Sequence, residues 1–291
     1  MITVSVPGKI HLMGEHAVVY GKPAILAAIN KRLTVTVRAG NNNAVGYVAD
    51  CVAIVQKHFK AQKEFHITID SEIPEGYHLG SSAAVAVAVV AAASYFLKNV
   101  WNPVLFNQLA YEAEKLKHGN PSGGDNTAVT MGGLIWYRKE LEFLKSIWQL
   151  PFTPKLHHFY VIDTGKPEET TGEMVAMVKS KVKSQKSQMQ NYFDENEVQT
   201  KRIAVALKEN DENVLIDAMR KGERTLEGIG VVSPKVIPII RGIEKSGGAA
   251  KILGGGGRKE GVGYLLCYAK QKQKDFIPIT LGEEGVRLEN R

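Results

Sequence analysis

Alternation of apolar and polar positions predicts three strands near the start of the chain. Residues 3–6, 33–37 and 65–69 are rich in β-branched side chains and repeat with a period of two. That period places successive side chains on opposite faces of a sheet, so each strand is expected to bury one face.

Longer apolar periods predict three helices in the same half of the chain. Residues 50–60 read as a short amphipathic helix, and the Ala- and Val-rich run over 83–97 reads as a helix buried on most faces. A third helix is predicted over 103–117, with Gly119 and Pro121 as its stop signal.

The second half begins after a proline-containing stretch at residues 150–154. Its elements are expected as a strand over 159–162, two or three helices over 173–228, a helix over 233–245, and strands over 250–253 and 262–267. We therefore predict an α+β chain with two lobes, residues 1–152 and 153–291, and an active site between them.

The composition is ordinary for a globular protein, but the formal net charge is +7. Much of the excess lies in four lysines that alternate with Ser and Gln and lack aromatic neighbours: Lys179, Lys181, Lys183 and Lys186. This pattern favours a solvated helix face over a nucleic-acid site, although anionic substrates would benefit from the positive field. We expect no nucleic-acid partner.

Other features of the sequence narrow its setting. No apolar run is expected to span a bilayer, and residues 1–4 lead straight into a motif and not a signal peptide, so we predict a cytoplasmic protein without a membrane partner. Cys51 and Cys267 are far apart and lack metal-site spacing, which favours two buried apolar side chains.

Four clusters carry the candidate chemistry. The first spans residues 5–21 and includes Lys9, Glu15 and His16; the second, residues 78–84, places Gly80, Ser81 and Ser82 before a helix. Backbone N–H groups and the helix dipole would make the second cluster a phosphate site, whereas the simpler alternative is a serine N-cap. The third spans residues 114–126, and the fourth, residues 251–259, is a glycine run after a short apolar strand.

These clusters, in this order, resemble the GHMP kinases, and within them most closely the mevalonate kinases. The Gly-Ser-Ser-Ala-Ala loop at 80–84 is common to the superfamily, whereas Glu-His-Ala-Val-Val-Tyr-Gly at 15–21 and His-Gly-Asn-Pro-Ser-Gly at 118–123 narrow the resemblance. The resemblance implies an N-terminal lobe like ribosomal protein S5 domain 2 and a ferredoxin-like C-terminal lobe. It also implies transfer of phosphate from ATP, with Mg²⁺, to the 5-hydroxyl of mevalonate, and a possible homodimer.

The resemblance also implies a role for each residue. Asp125 is the expected catalytic carboxylate and Lys9 is its partner. Ser82 and Glu114 are the expected metal ligands, although Glu114 and His118 could form a surface helix pair instead. Expected substrate contacts are Glu15, His16, His118 and Ser122. Expected ATP contacts are Gly76, His78, Leu79, Gly80, Ser81, Ser82, Ala83, Gly254, Gly255 and Gly256.

Two positions depart from the family pattern. His78 stands where the family usually has Gly, and at a positive φ it would cost roughly 1–3 kcal/mol unless the loop differs. In the fourth cluster the family's Thr-Gly-Ala-Gly becomes Leu-Gly-Gly-Gly at 253–256, and Arg258 and Lys259 follow as alternative phosphate contacts.

Two other functions remain open at this stage. A phosphomevalonate, homoserine or sugar kinase would share the Gly-Ser-Ser loop but not the Glu-His-Ala-Val-Val-Tyr-Gly segment. A non-catalytic nucleotide-binding or RNA-associated module would have no need of Lys9, Glu114 and Asp125 together.

Overall fold

The computed structural model describes residues 1–119 and 121–289. Asn120 of the third cluster and the last two residues of the predicted C-terminal lobe lie outside the described residues. Two antiparallel sheets, each covered by helices, organise the described chain.

The larger sheet belongs to the N-terminal half. Its strands are β1 (Ile2–Met13), β2 (Pro23–Ala39), β3 (Phe65–Ser71), β4 (Leu134–Lys139), β5 (Lys145–Gln149) and β10 (Arg287–Leu288). The order is β10-β1-β2-β4-β5, and β3 pairs with a further part of β2. The register shifts between Pro7 and Gly8, which lets β1 continue through a Pro-Gly pair that would otherwise end a strand.

Four helices accompany this sheet: α1 (Gly46–Phe59), α2 (Ser81–Lys98), α3 (Pro103–His118) and α4 (Gly124–Met131). α2 packs against β1 and β2 because its Ala and Val side chains, nearly all buried, allow close approach to the sheet. α2 is long and apolar enough to cross a membrane by length and composition alone, which corrects the expectation that no run reaches that length. Because most of it is buried inside the protein, this is the behaviour of a core helix.

The smaller sheet belongs to the C-terminal half. Its strands are β6 (Phe159–Asp163), β7 (Ala249–Ile252), β8 (Tyr264–Tyr268) and β9 (Ile277–Pro278), in the order β7-β8-β6-β9. The accompanying helices are α5 (Thr171–Ser184), α6 (Lys186–Glu209), α7 (Glu212–Ile229) and α8 (Ile237–Lys245). α5 begins at a capping box in which Thr170 and Glu173 satisfy each other's backbone N–H groups.

The sequence placed most of these elements but underestimated several. β1 and β2 are far longer than the predicted segments 3–6 and 33–37, because the first cluster continues β1 through Met13. α4, β4, β5, β9 and β10 were not predicted. The mixed α+β class is confirmed, and Cys51 and Cys267 are free and buried as expected.

The two halves meet along α6 and β1. Lys22 reaches across to Asp194 at 2.5 Å and Glu197 at 2.9 Å on α6. The chain also returns late, since β10 pairs with β1 at Val4 and Ser5. The predicted boundary at residues 152 and 153 remains a proposal, and β10 adds its residues to the sheet of the first lobe.

Candidate functional site

A cleft of about 390 Å³ lies where residues of all four clusters meet. Most of the predicted site residues line this cleft: Lys9, Glu15, His16, Gly76, His78, Gly80, Ser81, Ser82, Glu114, His118, Ser122, Asp125, Gly254 and Gly255. Leu79, Ala83 and Gly256 do not line the cleft; Leu79 and Ala83 are buried behind it, and Gly256 packs against the carbonyl of Val231.

Lys9 and Asp125 form an ion pair inside the cleft. Lys9 is buried on β1, and its Nζ lies 3.0 Å from Oδ2 of Asp125 in the first turn of α4. Burial opposes ionisation of Asp125, but the nearby charge of Lys9 and its hydrogen bond outweigh that effect, so the pKa of Asp125 lies below its ordinary value. Asp125 is therefore a carboxylate at neutral pH.

His11 lines the cleft and was not nominated from the sequence. It lies two residues after Lys9 on the same face of β1, and its Nδ1 is 3.2 Å from the Lys9 ammonium. Burial, assisted by the charge of Lys9, holds the pKa of His11 well below its ordinary value, so the neutral ring can accept a hydrogen bond from Lys9. The period-two spacing from Lys9 was the available signal.

The phosphate loop, defined here as residues 76–82, joins β3 to α2. Gly76, His78 and Gly80 all have positive φ, at 86°, 64° and 80°. The N-cap of α2 is Gly80, and Ser81 and Ser82 already lie inside the helix, so the serine N-cap alternative is wrong. A Cβ at Gly80 would lie 2.7 Å from Cγ of Lys9, which explains why only glycine fits there.

The start of α2 offers donors to an anion. The N–H of Lys9 donates to the Leu79 carbonyl at 2.9 Å, which anchors the loop to β1. The first helical hydrogen bond is made by the N–H of Ala84 to Gly80, so the N–H groups of Ser81, Ser82 and Ala83 precede it without helical partners. This is the arrangement that binds phosphate at helix N-termini.

Ser82 and Glu114 bring two oxygen donors together. The Ser82 hydroxyl donates to Oε2 of Glu114 at 3.3 Å, and the Tyr47 hydroxyl donates to Oε1 at 2.5 Å. Glu114 is buried, and burial raises its pKa. The Glu114–His118 helix pair offered as the alternative does form, with its carboxylate buried at the cleft and not on the open surface. His118 lies 3.3 Å from Ser82 and 3.7 Å from Glu114, on this side of the cleft. Tyr47, from α1, was not foreseen, because no local pattern relates it to Glu114.

The pair fits magnesium in its donor chemistry. Mg²⁺ prefers oxygen ligands and usually takes one or two protein carboxylates together with substrate phosphates and water. Two oxygens 3.3 Å apart are close to the roughly 3 Å edge of a magnesium octahedron. Within the described residues there is no cluster of three or more His, Cys, Asp or Glu that would form an all-protein cage.

His16 joins the cleft to the C-terminal glycine turn. Its Nε2 lies 3.1 Å from the Gly255 carbonyl, and because a carbonyl only accepts, this nitrogen carries the hydrogen. Burial lowers the pKa of His16 to about 4, so the ring is neutral and leaves Nδ1 as an acceptor.

Ser122 supports the turn that carries Asp125. Its hydroxyl oxygen accepts the N–H of Gly124 at 3.1 Å.

Glu15 is engaged by a partner that the sequence did not reveal. Its carboxylate binds the fully buried ammonium of Lys251 from β7, which also donates to the carbonyls of His11 and Ile252 at 3.2 and 2.6 Å. Glu223 is a second buried carboxylate near Lys251, and it accepts the N–H of Ile252. Burial raises the pKa of Glu223 to about 8. Glu15 therefore links the lobes beneath the cleft.

His78 occupies the space beside the glycine turn. Its side chain lies against Gly254, whose added Cβ would be 2.7 Å from the His78 Cβ, and a Cβ added to Gly255 would be 3.5 Å from its Cε1. Burial lowers the pKa of His78 to about 4, and its Nε2 is enclosed without a hydrogen-bond partner among the described residues. The positive φ expected of this position is confirmed.

Gly254→Ala is expected to destabilise the protein by about 1–3 kcal/mol, because the new Cβ meets His78 and the φ of +57° strains an alanine. Gly255→Ala is the matched control, with neighbours no nearer than 3.4 Å, and should change stability by no more than about 0.5 kcal/mol. Urea denaturation measures both. Adding His78→Gly to Gly254→Ala should recover part of the loss, and equal stability of the two alanine variants would contradict the packing described.

Comparison with known proteins gives concordant results. Residues 46–133 match the family "GHMP kinases N terminal domain". The mevalonate kinase of Archaeoglobus fulgidus is 32% identical over 303 aligned residues, covering 98% of this chain and 99% of that protein. In structure, the chain resembles the Lin0012 protein of Listeria innocua, with a TM-score of 0.84 at 22% identity, covering 100% and 99% of the two chains. It also resembles L. major mevalonate kinase in complex with R-mevalonate, with a TM-score of 0.80 at 24% identity, covering 97% and 96%.

Proposed function

Because this chain belongs to the mevalonate kinases of the GHMP kinase family, we propose that its cleft transfers the terminal phosphoryl group of ATP to the 5-hydroxyl of mevalonate. The observation that carries this proposal is the Lys9–Asp125 ion pair placed in one cleft with the uncapped N-terminus of α2. A phosphate-binding helix end beside an ionised carboxylate is what phosphoryl transfer to an alcohol needs.

Each reacting group has a proposed partner. The N–H groups of the phosphate loop hold the polyphosphate of ATP, and Lys9 and Asp125 face the acceptor hydroxyl. As the hydroxyl oxygen bonds to the terminal phosphorus, the bond from phosphorus to the bridging oxygen breaks and ADP leaves with that electron pair. The hydroxyl proton passes to Oδ of Asp125.

The low pKa of Asp125 defines its role more closely. A carboxylate held ionised by Lys9 is a weak base, so it accepts the proton only as the oxygen–phosphorus bond forms. Since the transition state of phosphoryl transfer is largely dissociative, holding the hydroxyl in line contributes as much as removing its proton. Lys9 steadies the negative charge on Asp125 and on the reacting oxygens.

Ser82 and Glu114 are the proposed ligands of Mg²⁺. When bound, this ion would neutralise negative charge on the phosphates during the transfer. Tyr47 supports the site by donating to Glu114, which fixes the direction of the carboxylate.

Substrate contacts are proposed for His16, His118 and Ser122, which line the cleft around Asp125. For Glu15 we propose an indirect role, since its carboxylate is taken by Lys251 and the residue is 2% exposed. The Glu15–Lys251 pair then positions the turn that carries His16. We also propose a homodimer and a cytoplasmic location; the chemistry depends on neither.

The test is release of ADP by the purified protein with Mg²⁺ and ATP, using mevalonate, phosphomevalonate, homoserine and galactose as acceptors. We expect release with mevalonate alone, and loss of that release when EDTA removes the metal. Turnover with another member of the panel would assign a different GHMP kinase activity. Silence with all four would overturn the proposed reaction.

A further inference from the structure

Lys166 is a lysine of the C-terminal lobe that reaches the cleft from a rigid base. The N–H of Gly165 donates to the Asp163 side chain at 2.8 Å, and Thr164 and Gly165 exchange backbone hydrogen bonds with Gly263 at 3.0 and 2.9 Å. These bonds fix the backbone on either side of the end of β6. Lys166, the next residue, is exposed and lines the cleft.

The side chain of Lys166 lies across the entrance of the phosphate loop. A Cβ built on Gly76 would be 2.6 Å from Cε of Lys166 and 3.2 Å from its Nζ. The end of the lysine therefore occupies the space that any other residue at position 76 would fill. The phosphate loop thus has Lys9 against Gly80 and Lys166 against Gly76, from opposite lobes.

Lys9 has a carboxylate partner and Lys166 has none among the described residues. Lys9 is paired with Asp125, whereas Lys166 makes no hydrogen bond or ion pair within residues 1–119 and 121–289. The acidic residues that follow Lys166 have other partners: Glu168 pairs with Lys259 at 3.4 Å, and Glu169 accepts the N–H of Arg258 at 3.2 Å. Glu75, also at the cleft, forms no ion pair with Lys166.

Lys117 is another lysine of the cleft without an ion pair among the described residues, but it contacts an aromatic ring. Lys117 on α3 lies 4.4 Å from the ring of Tyr47, beside the proposed metal ligands. A cation over an aromatic face is partly stabilised there. Lys166 makes no cation–π contact within the described residues. Its ammonium therefore lies at the Gly76 end of the phosphate loop without a compensating group, where an anion could bind.

We propose that Lys166 binds the terminal phosphate of the nucleotide from the C-terminal lobe, so that the triphosphate is held between this ammonium and the N–H groups of α2. The proposal rests on the proposed function, which places ATP on the phosphate loop. Lysine suits the task because it acts as a flexible point charge toward phosphate. Binding would also join the lobes, since Lys166 and the loop belong to different ones.

The test compares Lys166→Gln, Lys166→Arg and Lys179→Gln. Lys179 is the matched control, an exposed lysine of α5 that forms no ion pair with any described residue and does not line the cleft. Titration calorimetry measures the affinity of each protein for ADP and for a non-hydrolysable ATP analogue. Lys166→Gln should weaken the triphosphate analogue by about tenfold or more and ADP by less, because a charge-assisted contact to the terminal phosphate is lost. Lys166→Arg should keep most of the affinity, and Lys179→Gln should match the wild type.

Two results would overturn the proposal. One is equal triphosphate affinity for Lys166→Gln and Lys179→Gln. The other is a raised KM for mevalonate with unchanged triphosphate affinity, which would make Lys166 a carboxylate contact instead. The binding measurement needs no turnover, so a wild-type protein that binds nucleotide but does not phosphorylate mevalonate would remove the proposed reaction and still decide the role of Lys166.

Discussion

Asp125→Asn is expected to lower kcat by on the order of two to four decades while leaving nucleotide affinity nearly unchanged. Asparagine has the size of aspartate but no negative charge, so the acceptor hydroxyl loses the group that orients it and takes its proton. The amide also fails to neutralise Lys9, which lies 3.0 Å from Asp125. Turnover with saturating ATP and mevalonate measures the effect, and calorimetry with ADP checks the nucleotide site.

Asp194→Asn is the matched control for this variant. Asp194 also pairs with a lysine, Lys22, at 2.5 Å, but it lies on α6 away from the cleft. Losing an ion pair there should leave kcat close to the wild-type value. Near-normal turnover by a folded Asp125→Asn protein would remove Asp125 from the mechanism.

Lys9→Met is expected to lower kcat by on the order of a hundred- to a thousandfold and to move the acid limb of the pH profile to higher pH. Without Lys9, burial acts on Asp125 unopposed by its nearest cation, so the pKa of the carboxyl rises. The active form is the carboxylate. A higher pKa therefore means that activity is lost at a higher pH as the solution is acidified. The measurement is kcat/KM as a function of pH for both proteins.

The double variant Lys9→Met with Asp125→Asn tests whether the two residues act as a unit. If they do, the double variant should be little worse than Asp125→Asn alone, because the lysine acts largely through the carboxylate. Fully additive losses, or an unmoved acid limb in Lys9→Met, would contradict the coupling. A melting curve in each case separates loss of chemistry from loss of folding.

Local patterns were sufficient for several features of this protein. The Ala- and Val-rich run predicted α2, and Gly119 with Pro121 marked the end of α3 within one residue. Glycines and hydroxyls ahead of an apolar helix indicated the phosphate loop. These predictions worked because helix periodicity and turn chemistry are set by residues that are neighbours in the chain.

The same patterns failed where a strand broke a local rule. Pro7 and Gly8 read as turn residues, yet β1 runs through them because a register shift and pairing with β2 maintain the ladder. β10 has only two residues and is recognisable as a strand only by its partner β1. In both cases hydrogen bonds to a distant strand overrode local preference.

In the candidate site, the sequence predicted the chemical groups and the fold decided their partners. The resemblance of the four clusters to the GHMP kinases was enough to nominate Lys9, Ser82, Glu114 and Asp125. The partners of these groups required the fold: Glu15 with Lys251, 236 positions away, Tyr47 with Glu114, His78 with Gly254, and Lys166 over Gly76. Such contacts join segments that no period relates. They exist only because tertiary packing brings buried charges and small residues together, between the lobes for three of these pairs and within the N-terminal lobe for Tyr47 and Glu114.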